Sequence, residues 1–89
     1  MDDNKFKTKY KDIKKIIEDI DPAGWGAKDE YDDVIFQIIK NNPQVTDQKV
    51  LTENLITLLS EQFGLEKADI KDSCSQISKN ILSIYPKGI

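Results

Sequence analysis

The sequence predicts an all-α protein, a compact and irregular bundle of about four helices in a single domain over residues 1–89. Two observations carry this prediction. The apolar residues, mostly isoleucine and leucine, recur at the three- and four-residue spacing of amphipathic helices, and proline or glycine interrupts that pattern near residues 22, 43 and 64. A chain of 89 residues can build one small hydrophobic core. The short connections favour antiparallel packing of successive helices.

The first helix is predicted over about residues 3–20. It ends at Asp21-Pro22, because proline cannot continue the backbone hydrogen bonds and pushes the residue before it out of the α region. The second helix is predicted over about residues 30–41, with Asp29 as its N-cap and with residues 41–43 (Asn-Asn-Pro) as its end. The residues predicted to face the core are Phe6, Tyr10, Ile13, Ile16, Ile17 and Ile20 in the first helix and Tyr31, Val34, Ile35, Ile38 and Ile39 in the second.

The third helix is predicted to open with Thr46 as its N-cap and with Val45 and Val50 as a hydrophobic staple. Gly64 is placed to end this helix, since glycine tolerates the left-handed conformation that helix ends require. The fourth helix is predicted over about residues 66–84. The predicted core positions are Leu51, Leu55, Leu58, Leu59 and Phe63 in the third helix and Ile70, Cys74, Ile77, Ile81, Ile84 and Tyr85 in the fourth.

The formal net charge of −3 is unevenly distributed along the chain. Residues 1–17 carry six lysines against three acidic residues, whereas residues 18–33 carry seven acidic residues against one lysine. Residues 34–89 are balanced. The chain has no arginine, which disfavours sequence-specific reading of nucleic acid, and no histidine, the commonest general base and transition-metal ligand. The lysines around the first helix are interpreted as a solvated face.

The connection between the first two helices, residues 21–33, is the most distinctive stretch of the chain. It contains Trp25, the only tryptophan, between two glycines, and it is rich in carboxylates. Trp25 is interpreted either as a lid over the end of the bundle or as an exposed aromatic anchor for another protein. If the loop binds a protein, the residues predicted to make the contact are Trp25, Asp29, Glu30, Tyr31, Asp32 and Asp33.

The carboxylates considered for metal binding or acid–base catalysis are Asp19, Asp21, Asp29, Glu30, Asp32 and Asp33. Their spacing does not match a calcium loop, and helix capping together with the helix dipole accounts for Asp29, Glu30, Asp32 and Asp33 without a ligand. The single cysteine, Cys74, lies at helical spacing among isoleucines and is interpreted as a buried thiol rather than a nucleophile. We therefore expect no metal, no cofactor and no enzymatic activity.

A short pattern in the connection over residues 21–33, called the acidic loop from here on, resembles that of a known protein family. Residues 21–26 read D-P-A-G-W-G and residues 29–32 read D-E-Y-D. In this pattern the chain resembles a small bacterial all-helical family that is itself a domain of unknown function, with Ala23 and Trp25 standing where that family carries aliphatic residues. The resemblance covers about residues 10–64 and implies an all-α fold, but neither an activity nor catalytic residues. The matching residues are Asp21, Pro22, Gly24, Gly26, Asp29, Glu30, Tyr31 and Asp32.

The function expected from these observations is non-catalytic binding of a protein with a basic surface, which the acidic loop and the start of the second helix would contact. A toxin-neutralising immunity protein is one concrete version of this expectation. The alternative class is a small carboxylate-based metal-binding protein or enzyme. No apolar run is long enough for a membrane span, and the lysine-rich start lacks a signal-peptide core. The expected location is the cytoplasm, with neither nucleic acid nor membrane as a partner.

Overall fold

The computed structural model describes residues 3–24 and 31–89, with residues 3 and 4 as backbone alone. The described residues form four α-helices and no strand, as the sequence predicts: α1 (Asp3–Ile20), α2 (Asp32–Asn41), α3 (Gln48–Phe63) and α4 (Lys67–Ile84). The radius of gyration is 11.9 Å, close to the ~12 Å expected of a compact chain of this length. The helices contact one another in a ring, in the order α1, α2, α3, α4 and back to α1.

The core lies along the axis of this ring and is built from the predicted apolar stripes. Each helix contributes residues one or two turns apart, so that every stripe faces the same interior. Cys74 is fully buried among them, as predicted, and burial raises the pKa of its thiol to about 12. The buried core residues are Ile13, Ile16, Ile17, Tyr31, Val34, Ile35, Ile38, Ile39, Leu51, Leu55, Leu59, Ile70, Cys74, Ile77, Ile81 and Ile89.

The first helix has the predicted bounds, and the second begins later than predicted. α2 starts at Asp32, and its N-cap position is occupied by Tyr31 rather than by Asp29. Tyr31 makes no side-chain cap, because its ring enters the core and its hydroxyl bonds elsewhere. Asp29 itself lies outside the described residues. The end of α2 at Asn41 agrees with the Asn-Asn-Pro signal.

The predicted start of the third helix is also wrong, by one residue. Asp47 rather than Thr46 is the N-cap, and its carboxylate accepts a 2.8 Å hydrogen bond from the backbone N–H of Lys49. This register moves Val50 out of the staple position, and its side chain is 43% exposed. At the other end Gly64 adopts the expected left-handed conformation, with φ of 66°.

The last turn of α4 departs from its predicted apolar face. Ile84 is 49% exposed, because it lies at the edge of the groove between α1 and α4 instead of beneath α1. Tyr85 is half-buried and donates a 2.7 Å hydrogen bond from its hydroxyl to the carboxylate of Asp12. The end of α4 is therefore held to α1 by a polar contact between residues 73 positions apart in the chain.

The connection between α2 and α3 is held by contacts that the sequence pattern does not predict. Asn42 is buried; its amide donates to the carbonyl of Ile38 and its amide oxygen accepts a 2.8 Å hydrogen bond from Asn54. Gly88 passes so close to this connection that a Cβ there would lie 2.6 Å from the carbonyl oxygen of Pro43. This close approach places Ile89 in the core.

Candidate protein-binding site

The predicted site surrounds a loop whose two described ends are joined by one side chain. The Tyr31 hydroxyl donates a 2.7 Å hydrogen bond to the carboxylate of Asp21 and accepts a 3.0 Å hydrogen bond from the backbone N–H of Ala23. The Tyr31 ring is 1% exposed and meets the Phe63 ring edge-on, with 5.9 Å between the ring centroids. Burial, with the Asp21 carboxylate as a further cause, raises the pKa of Tyr31 to about 12. Tyr31 thus anchors the end of α1 to the start of α2.

The chain leaves α1 through a tight turn over residues 21–24. The N–H of Asp21 donates to the carbonyl of Ile17, and the N–H of Gly24 donates to the carbonyl of Asp21. Asp21 has φ of 50° and Gly24 has φ of 69°, so both lie in the left-handed region. Aspartate is one of the few residues that tolerate this conformation outside glycine. The turn ends α1 as the Asp-Pro signal predicts, and it directs the Asp21 carboxylate toward Tyr31.

At the start of α2, Asp32 contacts α1 directly. Its carboxylate lies 3.2 Å from the Lys14 ammonium and accepts a hydrogen bond from the Tyr10 hydroxyl. These two groups, the tyrosine first, hold the pKa of Asp32 below its usual range. The Lys14 ammonium also lies 6.0 Å from the centroid of the Tyr10 ring. Asp32 therefore has a structural partner and offers a partner protein less free charge than its neighbour Asp33, which is exposed.

The structure locates three of the six predicted contact residues. Tyr31 is a core residue, which confirms its inward prediction and leaves its ring no exposed surface for a direct contact. Asp32 is partly exposed and Asp33 is exposed on the first turn of α2. Trp25, Asp29 and Glu30 lie outside the described residues, and the choice between lid and anchor for Trp25 stays a prediction. Asp21, which belongs to the Asp-Pro signal that ends α1, accepts the hydrogen bond from the Tyr31 hydroxyl.

Other concave surfaces of the described residues are shallow grooves between helices. One of them, of about 570 Å³, lies between α3 and α4. It combines lysines and carboxylates with the Ser75 hydroxyl, which lies 3.4 Å from the Gln48 amide nitrogen. Within residues 3–24 and 31–89, no three acidic or cysteine side chains are grouped as metal ligands. No helix in these ranges is both long and apolar enough to cross a bilayer.

The sequence and fold of the chain were compared with those of known proteins. No protein-family model, curated protein or solved structure matches the chain. The likeness to a small bacterial helical family, which rests on residues 21–32, therefore stays a prediction.

Proposed function

We propose that this protein is a non-catalytic, cytoplasmic binding module that recognises a basic surface on another protein. The contact is made by an acidic surface, defined as Trp25, Asp29, Glu30, Asp32 and Asp33, which belong to the α1–α2 connection and the first turn of α2. Tyr31 is omitted from this surface because its ring is buried. Neutralisation of a basic toxin, as an immunity protein does, is the most concrete form of this function.

The observation that carries the proposal is the Tyr31 hydroxyl, which fixes both flanks of the segment that contains most of the acidic surface. A recognition segment with anchored flanks loses less conformational entropy on binding than one with free flanks. Residues 18–33 carry seven acidic residues against one lysine, and exposed Asp19 and Asp33 belong to this excess. Clustered charge of one sign steers a partner of opposite sign and accelerates association.

Affinity capture with a matched pair of variants tests the proposal. The test variant neutralises the acidic surface and removes its aromatic residue through Trp25→Ala, Asp29→Asn, Glu30→Gln and Asp33→Asn. The control variant removes two carboxylates from the groove between α3 and α4 through Glu53→Gln and Asp72→Asn. We expect the wild type and the control to retain the same basic protein, identified by mass spectrometry, and the test variant to lose it. Retention should weaken as salt increases.

Fluorescence of Trp25 gives an independent readout, because it is the only tryptophan in the chain. Adding the purified, tryptophan-free form of the captured protein should shift the Trp25 emission at saturating concentration. Capture of the same proteins by wild type and test variant would contradict the proposal. So would a salt-independent interaction that leaves Trp25 emission unchanged, since neither charge nor the loop would then take part.

A further inference from the structure

Three aromatic rings line the seam where α1 packs on α2. Phe6 lies 5.8 Å from Phe36 and 6.2 Å from Tyr10 between ring centroids, and we call these three residues the aromatic seam. Phe36 is 48% exposed, although the two residues that precede it, Val34 and Ile35, are fully buried. Its position is dictated by the helix, because α2 turns its aliphatic stripe inward and leaves Phe36 on the outer side. Aromatic side chains are enriched at protein–protein interfaces.

Opposite charges stand on either side of this ring along α2. Asp33 precedes Phe36 by three residues and Lys40 follows it by four, so all three lie on one face of the helix. Both charged residues are exposed, and no oppositely charged group among the described residues lies within ion-pair distance of either. The separation from Asp33 to Lys40 is about 10 Å along the helix axis. Phe36 lies near the middle of that separation.

A helix face that carries an acidic residue, an aromatic ring and a basic residue in this order is complementary to a second copy of itself. When two copies meet antiparallel about a two-fold axis that passes near Phe36, the acidic end of one α2 faces the basic end of the other. The two Phe36 rings then meet at the centre of the contact, where burial contributes most to binding. A partner with a uniform charge would instead meet repulsion at one end of this face. The charge pattern therefore favours a second copy of this chain over a strongly acidic or strongly basic segment.

We propose that the protein forms a two-fold symmetric dimer through the aromatic seam and the outer face of α2. Phe36 of each copy packs at the axis, and Asp33 of each copy pairs with Lys40 of the other. The apolar centre supplies most of the affinity, and the two equivalent ion pairs set the antiparallel register. The dimer does not require the proposed function, but both use Asp33, so an Asp33 that pairs with Lys40 of the other copy is not available to the basic partner.

Sedimentation velocity from micromolar to millimolar concentration tests this dimer. We expect the wild type to pass from monomer to dimer in this range, and Phe36→Ser to raise the dissociation constant by about tenfold or more. Asp33→Lys and Lys40→Asp should each weaken the dimer by about tenfold, because each creates like-charge contacts twice across the axis. The double reversal Asp33→Lys with Lys40→Asp should restore dimerisation, since attraction returns with opposite sign.

Exposed aliphatic residues elsewhere provide matched controls. Val50→Ser and Ile84→Ser remove side chains that are 43% and 49% exposed on other surfaces, and both variants should dimerise like the wild type. Circular dichroism verifies that every variant is folded. A wild type that stays monomeric at millimolar concentration would overturn the proposal, as would a dimer that Phe36→Ser does not weaken. A double reversal that fails to dimerise would also overturn it, because the assigned pairing would be wrong.

The dimer and the proposed partner contact can fail separately. Phe36 and Lys40 lie outside the acidic surface, so Phe36→Ser and Lys40→Asp should still capture the basic partner. Loss of capture in these monomeric variants would count against the dimer as an independent contact, since it would assign the seam to the partner. Because the acidic-surface variant also carries Asp33→Asn, it is compared with a form that keeps Asp33 and changes only Trp25→Ala, Asp29→Asn and Glu30→Gln. Loss of capture in that form bears only on the proposed function.

Discussion

At the scale of single residues, the hydroxyl of Tyr31 has the widest consequence for the candidate site. It makes hydrogen bonds with both a carboxylate and a backbone amide of the turn that ends α1. A hydrogen bond to a charged group stabilises a protein more than one between neutral groups. The hydroxyl therefore contributes to folding stability and, at the same time, fixes the spacing between the ends of the acidic loop.

We predict that Tyr31→Phe lowers the free energy of unfolding by about 1–2 kcal/mol, since the Asp21 carboxylate and the Ala23 amide both lose a partner. Tyr85→Phe is the matched control, because its hydroxyl also donates to a carboxylate, that of Asp12, away from the loop. Urea denaturation should show a loss in both variants. The Trp25 emission maximum should change only in Tyr31→Phe; a change of equal size in Tyr85→Phe would contradict the anchoring role.

Ser78 is a second residue with a clear expectation. Its hydroxyl is fully buried, and it has no hydrogen-bond partner among the described residues. Ser78→Ala removes this unsatisfied group and introduces a better helix former into α4, so we expect unfolding free energy to rise by about 1 kcal/mol. Thermal unfolding measures the change. Ser83→Ala, at an exposed position of the same helix, should gain only the smaller helix-propensity contribution. Equal gains in both variants would mean that the buried hydroxyl costs nothing.

At the scale of helices and connections, the closing contacts involve backbone as much as side chains. Gly88 has φ of 99° and lies against the backbone of the α2–α3 connection, which allows Ile89 to enter the core. The Asn42–Asn54 hydrogen bond holds the same connection from the other side. These contacts make the short α2 part of the bundle at its C-terminal end, as Tyr31 does at its N-terminal end.

We predict that Gly88→Ala lowers the free energy of unfolding by about 2–3 kcal/mol, because the new Cβ would strike the carbonyl oxygen of Pro43 in addition to the cost of positive φ. Gly64→Ala separates the two effects. Gly64 also has positive φ, but apart from its chain neighbours no atom of the described residues lies within 4 Å of its Cβ position, so only about 1 kcal/mol should be lost. Equal losses in chemical denaturation would show that the close approach to Pro43 has no energetic effect.

At the scale of the whole molecule, the charged residues lie apart from the buried core. The core is mostly aliphatic, whereas residues 1–17 carry an excess of lysine and residues 18–33 an excess of acidic residues. The pKa of the Tyr31 and Tyr85 hydroxyls is raised from the usual 10.0 to about 12. The pKa of the Cys74 thiol is raised from the usual 9.0 to about 12. Burial is the largest cause for each.

These shifts predict the direction of the alkaline pH dependence. A group whose pKa is raised by folding stabilises the folded state fully below its unfolded pKa and loses that contribution as pH rises toward the folded value. Stability should therefore fall from about pH 9 to pH 12. Denaturation at a series of pH values measures the fall. The Tyr31→Phe, Tyr85→Phe double variant should lose less stability between pH 10 and pH 12 than the wild type; parallel curves would contradict the assignment.

Local signals in the sequence were sufficient to predict the number of helices, their inward faces and most of their ends. Periodicity of apolar residues, proline after Asp21 and Asn42, and glycine at position 64 are local signals, and local signals act on any chain that contains them. The site was only partly predictable. The acidic residues were visible in the sequence, but nothing in it paired Tyr31 with Asp21 or Lys14 with Asp32.

Tertiary packing sets these pairings, the burial of Asn42 and Ile89, and the exposure of Phe36 and Ile84. Each depends on how two helices lie against each other, which is set by the packing of the whole core rather than by neighbours in sequence. The one-residue error at the start of α3 has the same origin, since Thr46 and Asp47 are both competent caps. The periodicity of apolar residues determines which face of a helix is buried, and the packing of the helices against one another determines which residues come into contact on that face.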